Sequence, residues 1–298
     1  MSLATVDVNE AQIAALGDPI TGPSAFSGDF MRFWHLTFNI AKTQWKMRFF
    51  GSVLGYFWQL MRPLLLFGVL LVFWTVVAQI NKAVPGPPGK YYAVQLLGAI
   101  VLFTFFQEAT QGAVRAVVDS ETLVRKIHFP RLAIPLASVM VALFNLVLNL
   151  VIELGFAVAM GVTPMWSWFQ LPIIVAILVV LTTGVSMILS SLFVYFRDIQ
   201  PIWEVVCQVL FYASPVLVPA ILVQQHLNNP TLMKLYMLNP IAMLLEQFKH
   251  AVINHAVSGA AYYGGYGWVA ISMVIVVVLL GLGYVIFSRM APYVAENI

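Results

Sequence analysis

Charged residues are scarce in this chain, at 9% of 298 residues, while hydrophobic residues make up 61%. A water-soluble protein of this length needs a polar surface, and there are too few polar side chains here to cover one. The composition therefore predicts a protein embedded in lipid, where only helices and closed barrels satisfy the backbone. The apolar runs are long and continuous rather than short and alternating, which favours helices over a barrel.

The chain also lacks what an enzyme or an ATPase needs. Its single cysteine, Cys207, excludes a disulfide framework and a cysteine metal cluster. The histidines are scattered, and His250 and His255 are too far apart for the one-turn spacing of zinc helices. The stretch VPGPPGK, ending at Lys90, lacks the first glycine and the final Ser or Thr of a phosphate loop. We predict no catalytic residue, metal or cofactor in this chain, so its energy source must be a partner or a gradient.

Six apolar runs are long enough to cross a membrane: about 63–80, 91–118, 132–160, 171–196, 202–223 and 267–287. We therefore predict an all-α integral membrane protein with six transmembrane helices and short re-entrant helices before the last span. The predicted organisation is a polar flexible tail over 1–29, an amphipathic interfacial helix over 30–52, a transmembrane domain over 53–289 and a short cytoplasmic tail over 290–298.

The basic residues predict the orientation. If the N-terminus is cytoplasmic, eleven of the fifteen lysines and arginines fall on the inner side. The outer side then holds only Lys82, Lys90, Lys234 and Lys249. This asymmetry fits the positive-inside rule and predicts that both termini are cytoplasmic.

Residues 30–50 predict a basic, aromatic-rich helix in the membrane interface. At helical spacing one face carries Met31, Trp34, Phe38, Ala41, Trp45 and Phe49. The basic residues of this segment are Arg32, Lys42, Lys46 and Arg48. An early extension of the first span is the alternative, but four basic residues before Gly51 favour the interfacial position.

Polar residues inside the apolar runs are candidates for function. Glu108 lies in the second run, and Asn145, Asn149 and Glu153 recur every four residues in the third, so they share a helix face. This stripe either lines a polar path or forms hydrogen bonds between helices, and we favour the second interpretation. Two acidic residues are too few for a proton relay, which disfavours a gradient-driven antiporter.

Aromatic residues and prolines mark a candidate path and gate. Most aromatic residues are explained by the belts at membrane interfaces, but a minority, including Phe211 and Tyr212, would suit sugar rings. Proline removes a backbone donor, so Pro215, Pro219 and Pro240 must interrupt their helical stretches. We interpret these breaks as short helices that dip into the outer leaflet, with kinks satisfied by neighbouring helices as the alternative.

Four stretches, in order, resemble the permease subunits of type-2 ABC exporters of O-antigen, capsule, teichoic acid and related polysaccharides. They are TQWKMRFFGSVLGYFWQLMRPLL, SETLVRKIHFPRLAIPL, SSLFVYFRDIQPIWEVVCQVLFYASPVLVP and LNPIAMLLEQFKHAV. The resemblance covers roughly residues 32–255. The chain departs from relatives at Arg48, Phe49 and Phe50, where they have arginine–tyrosine–lysine, and it lacks a proline–tryptophan pair around 102–106.

The resemblance implies a homodimer with two copies of a separate ABC ATPase subunit, which binds ATP and Mg. The cargo would be a polysaccharide such as O-antigen or galactan on a polyprenyl diphosphate, crossing a bacterial cytoplasmic membrane. Its diphosphate would enter beside Arg32, Lys42, Lys46 and Arg48. The path and gate would comprise Tyr56, Trp58, Phe211, Tyr212, Pro215, Pro219, Asn239 and Pro240.

In this family the loop after the second span is the coupling helix that docks on the ATPase. Its residues here are Glu121, Thr122, Leu123, Val124, Arg125, Lys126, His128 and Phe129. Ser120 suits the N-cap of such a helix, while a plain loop helix facing lipid headgroups is the alternative. Arg197 and Asp198 would form a second contact, or would simply pair with each other.

Three other classes compete with a polysaccharide exporter. A type-2 ABC exporter of drugs or lipids would share the topology. An integral membrane glycan transferase would need an outer loop richer in acidic or basic residues than any loop here. A secondary transporter would be expected to show an internal repeat, and we find none.

Overall fold

The computed structural model describes residues 30–49, 55–84, 86–120, 130–227, 229–253 and 257–290, and it forms no strand within them. In chain order the helices are α1 (Phe30–Phe49), α2 (Gly55–Val72), α3 (Ile80–Ala83), α4 (Pro87–Lys90), α5 (Tyr92–Asp119), α6 (Ala133–Ala159), α7 (Leu171–Tyr195), α8 (Ile199–Ala213), α9 (Ala220–Leu227), α10 (Pro230–Tyr236), α11 (Pro240–Ile253), α12 (Ala260–Gly264) and α13 (Tyr266–Met290). A π-helical turn, Phe73–Val77, continues α2, and a 3₁₀ turn, Trp166–Gln170, precedes α7.

Five helical stretches of the described chain are long and apolar enough to span a membrane. They are Phe57–Val77, Tyr92–Asp119, Ala133–Ala159, Trp166–Tyr195 and Tyr266–Met290. The predicted all-α membrane architecture is therefore confirmed. The predicted run 202–223 differs from the other five, because α8 has 15 residues and ends at Ala213, just before Pro215 and Pro219.

Helix α5 lies at the centre of the bundle. It packs against α2, α6, α7, α8 and α11, and most of its side chains are buried. Helix α2, by contrast, is mostly exposed along its apolar length. An apolar helix that its own chain leaves uncovered must face lipid or another protein surface.

Helices α7 and α13 cross at two glycines. A Cβ added to Gly184 would lie 2.7 Å from the backbone nitrogen of Leu280, and one added to Gly283 would overlap the carbonyl oxygen of Gly184. Small residues allow such close approach of helix backbones within a membrane. This crossing fixes α13, which is otherwise largely exposed, against the bundle.

Helix α1 packs along the first half of α6. Phe144 meets Phe38 and Trp45 edge to face, with ring centroids 5.9 and 6.1 Å apart. The buried residues of α1 are Phe33, Thr37 and Ala41, one turn apart. Of the predicted apolar face, Met31, Trp34 and Phe38 remain exposed. The side of α1 that packs was therefore not fully predicted by hydrophobicity.

Candidate functional site

A polar cavity of about 910 Å³ lies between α2, α5 and α6, next to the end of α1. Its polar lining residues are Arg48, Gln59, Arg62, Thr104, Gln107, Glu108, Gln111, Asn145 and Asn149. The exposed indole of Trp58 also lines it. Because polar side chains are costly in lipid, so many around one cavity indicate a water-filled or ligand-filled space.

The carboxylate of Glu108 is the hub of this cavity. Arg48 donates to its Oε1 in an ion pair, and Asn145 Nδ2 donates to the same oxygen at 2.8 Å. Gln59 Nε2 donates to Oε2 at 3.1 Å. Glu108 therefore joins α1, α2 and α6 to α5 through charge-assisted hydrogen bonds, which are stronger than neutral ones.

The predicted stripe on α6 divides into two parts. The side-chain oxygen Oδ1 of Asn145 accepts a hydrogen bond from Trp45 Nε1 at 3.0 Å. The backbone carbonyl oxygen of Asn145 accepts one from Asn149 Nδ2 at 2.9 Å. Asn145 thus ties helices together and also lines the cavity, so both interpretations of the stripe apply to it. Glu153 is fully buried away from the cavity beside Gly98, and its oxygens have no hydrogen-bond partner within the described chain.

A second cavity of about 480 Å³ adjoins the first and shares Gln107 and Gln111 with it. Helix α8 supplies the other wall through Glu204, Cys207, Gln208, Phe211 and Tyr212. Trp203 Nε1 donates to Thr110 Oγ1 at 3.0 Å, which fixes α8 against α5. Gln107 and Gln111 of α5 line both cavities, and together with the other polar side chains that line the two cavities they form a polar strip beside α5.

Several residues predicted for the path line these cavities. Trp58 lies in the first, and Phe211 and Tyr212 lie in the second. Phe211 packs against Phe103 with ring centroids 5.2 Å apart, while Tyr212 is exposed. The structure describes the backbone of Tyr56 in α2 but not its side chain.

The predicted diphosphate-binding residues separate in the structure. Arg48 lines the cavity, whereas Arg32, Lys42 and Lys46 do not line it and are exposed on α1. Arg62 lines it as well and was missed, because as the last basic residue before an apolar run it was used only to predict orientation. Gln107 and Gln111 were also missed, although amides four residues apart in an apolar run are a recognisable signal.

The predicted gate residues gather at the other end of α5. Asn239 Nδ2 donates to Ser214 Oγ at 3.0 Å, and Asn239 Oδ1 accepts from the Ile241 backbone N–H at 3.0 Å. Asn239 thereby caps α11, which begins at Pro240, and ties it to the end of α8. Pro215 and Pro219 are buried in the same region. None of these residues lines either polar cavity.

The predicted coupling residues have different outcomes. Residues 121–129 lie outside the described ranges, so that assignment stays a prediction. Arg197 and Asp198 lie exposed between α7 and α8, and no ion pair joins them within the described chain. Instead the Arg197 guanidinium lies over the Phe193 ring, 5.4 Å from its centroid.

An all-α bundle of apolar spans, with polar side chains lining cavities beside α5, defines an integral membrane protein. The sequence profile of the ABC-2 type transporter family matches residues 35–253, which is most of the chain. The chain belongs to this family.

Similar proteins are known by name. The chain is 27% identical over 263 residues to the O-antigen export system permease protein RfbA of Myxococcus xanthus, covering 88% of this chain and 95% of the relative. It is 24% identical over 256 residues to a protein of the same name from Klebsiella pneumoniae, covering 84% and 90% respectively.

Proposed function

We propose that this chain is the transmembrane subunit of an ATP-driven ABC exporter that moves polyprenyl-diphosphate-linked polysaccharide across a bacterial cytoplasmic membrane. The observation that carries the proposal is the polar strip of amides and aromatic rings along α5. Amides bind neutral hydroxyl groups, and aromatic faces stack on sugar rings. An exporter of apolar drugs or lipids would have less use for such a lining. The relatives are named as O-antigen export permeases, which supports a polysaccharide as the cargo of this chain.

The strip becomes a transmembrane path if two copies of the chain meet. Along α2 and α8, apolar residues are left exposed by the chain itself, including Val69, Val72, Val205 and Val209. These two helices border the polar strip through Gln59 and Gln208. A homodimer that joins these faces would cover the apolar surface and enclose the strip at its two-fold axis.

The lipid diphosphate would bind at the mouth of the first cavity. Arg48 and Arg62 line the same cavity, and two guanidinium groups suit a diphosphate because each presents a planar fork of donors. Arg32, Lys42 and Lys46 would attract the anionic head group along α1 and bring it towards this mouth. Glu108, paired with Arg48 in this structure, would release the arginine when the diphosphate arrives.

Energy would come from two copies of an ATPase subunit that bind ATP and Mg. The predicted coupling helix over 121–129 would dock on them from the cytoplasmic side, with Arg197 and Asp198 as a second contact. Both termini would then be cytoplasmic. The predicted domain organisation, with an interfacial helix over 30–52 and a membrane domain over 53–289, is part of this proposal.

Co-expression with a candidate ATPase subunit tests the proposal. We expect the two proteins to purify together and to hydrolyse ATP faster when a polyprenyl diphosphate glycan is added than when an apolar drug is added. Reversing the charges of Arg125 and Lys126 is expected to uncouple hydrolysis from export while leaving membrane insertion intact. A chain that purifies alone and stimulates no nucleotide hydrolysis would contradict the exporter assignment.

A further inference from the structure

The chain leaves helical geometry where α8 ends, and its carbonyl groups there need new partners. Residues 214–219 form a non-helical segment between Ala213 and α9. In a helix the Pro215 carbonyl would accept a bond from the residue four positions later. That residue is Pro219, which has no N–H to donate. The sequence thus leaves the Pro215 carbonyl unpaired at a buried position.

Side chains from other helices supply the missing donors. The Lys249 ammonium of α11 donates to the Pro215 carbonyl oxygen and, at 2.7 Å, to Glu246 Oε1. The Tyr92 hydroxyl of α5 donates to the Leu217 carbonyl oxygen at 2.8 Å. Lys249 and Glu246 are both only 2% exposed. The non-helical segment is therefore held between α5 and α11 by specific hydrogen bonds.

Burying this ion pair is not explained by stability alone. Removing two charges from water is costly, and apolar residues of similar volume often serve as well in a protein interior. An apolar side chain, however, cannot donate to the Pro215 carbonyl. The Lys249 ammonium supplies the donor that the proline-interrupted backbone lacks, and Glu246 lies beside it as the counter-charge.

We propose that Lys249 is a positioning residue for transport: it holds the 214–219 segment against α11 and keeps the far end of α8 closed in the resting state. This inference rests on the proposed function, because α8 carries Gln208, Phe211 and Tyr212 on the wall of the polar strip. When the transport cycle moves α8, the bond from Lys249 to Pro215 breaks and the strip opens at this end.

A single reporter cysteine measures whether this segment is closed. Val216 is buried within the segment, and the native Cys207 can be replaced by alanine. In cells that express the Cys207→Ala/Val216→Cys variant, a membrane-impermeant maleimide added outside is expected to label the reporter thiol slowly. Adding Lys249→Met is expected to speed labelling by about tenfold or more, since a charge-assisted hydrogen bond is lost. Lys249→Arg should restore slow labelling.

Two further variants separate positioning from folding. Lys234→Met, on the exposed face of α10, is the matched control and should leave labelling unchanged. The double variant Glu246→Met/Lys249→Met removes both buried charges, so it should recover thermal stability while labelling stays fast. Slow labelling in the double variant, or in a normally inserted Lys249→Met protein, would overturn the proposal. The proposal would also be overturned if neither Lys249→Met nor Glu246→Met/Lys249→Met accumulated in the membrane, because Lys249 would then serve folding alone.

The same labels distinguish this inference from the proposed function. If the Val216→Cys reporter reacts only in inside-out vesicles, the predicted orientation of the exporter fails. In that case the ratio of the labelling rates with Lys249→Met and with native Lys249 still measures whether Lys249 keeps the 214–219 segment closed. If the reporter reacts from outside as predicted but the two labelling rates are equal, the proposed function stands and the positioning role of Lys249 is contradicted.

Discussion

Two ion pairs lie at different levels along α5, and they differ in how much water reaches them. Arg48 and Glu108 are 44% and 19% exposed at the polar cavity, whereas Lys249 and Glu246 are each 2% exposed. A pair that water reaches contributes less than a buried one, because the solvent screens its charges. Breaking a buried pair by removing one member costs about 3–5 kcal/mol. The first pair is suited to exchange with a ligand, and the second to holding a backbone in place.

The largest expected effect comes from breaking the buried pair. Glu246→Gln leaves the Lys249 ammonium buried without a counter-charge, which should lower the free energy of unfolding by about 3–5 kcal/mol. Thermal unfolding of the purified chain in detergent measures this. The matched control is Asp119→Asn, which removes the exposed partner of Arg115 and should change little. Similar melting temperatures for Glu246→Gln and Asp119→Asn would contradict the larger contribution expected of the buried pair.

Two glycines at different levels of α5 give a second test. A Cβ at Gly98 would overlap the Phe248 ring, next to Lys249 on α11, whereas one at Gly112 would lie 3.8 Å from Ser138 Cβ, an ordinary contact. Gly98→Ala is expected to destabilise by about 1–3 kcal/mol through overpacking. Gly112→Ala should be neutral or stabilising by up to about 1 kcal/mol. Equal melting temperatures for the two variants would show that Phe248 of α11 can move aside for the added methyl group, which would contradict tight packing at Gly98.

Freeing the exposed arginine should change both stability and binding. Glu108→Gln removes the charge opposite Arg48 and weakens the hydrogen bonds from Gln59 and Asn145, so the free energy of unfolding should fall by about 1–2 kcal/mol, less than for Glu246→Gln. The affinity for a short polyprenyl diphosphate should rise severalfold, because Arg48 no longer has to leave a carboxylate. Binding to the purified chain measures this, with Asp119→Asn as control. Unchanged or weaker binding would argue against the cavity mouth as the diphosphate site.

The smallest expected effect concerns the amides of the polar strip. Gln107→Leu and Gln111→Leu each remove one potential hydrogen bond to sugar hydroxyls, so the substrate concentration for half-maximal ATPase stimulation should rise about 2- to 10-fold. Gln225→Leu, on the exposed side of α9, should have no effect. An equal response in all three variants would mean that the strip does not contact the cargo.

The sequence predicted the helical runs well and the contacts between them less well. Long uncharged stretches have only one stable arrangement in lipid, so the apolar spans were predictable. The break after α8 was predictable too, because Pro215 and Pro219 each lack the N–H that a continuing helix needs. Glu108 was a candidate, but its partners Arg48 and Gln59 lie 60 and 49 residues away. No local pattern connects such positions.

Lys249 shows the same limit more sharply. By charge alone it was one of four basic residues on the outer side, equivalent to Lys234. The structure instead buries it, since the Pro215 carbonyl 34 residues earlier needs a donor and Glu246 supplies the counter-charge. A single sequence shows that the carbonyl lacks its own partner but not which side chain provides one.

Composition alone determined that this chain is a helical membrane protein, because hydrocarbon leaves the backbone no alternative to internal hydrogen bonds. Pro215 and Pro219 predicted a break in this part of the chain, and the structure decided that the helix ends at Ala213. Only the tertiary structure decided which polar groups meet: it put Arg48 on Glu108 at a cavity and Lys249 on Pro215 in the interior. Hydrogen bonds and ion pairs act over a few ångströms, so their partners are fixed by packing and not by distance along the chain.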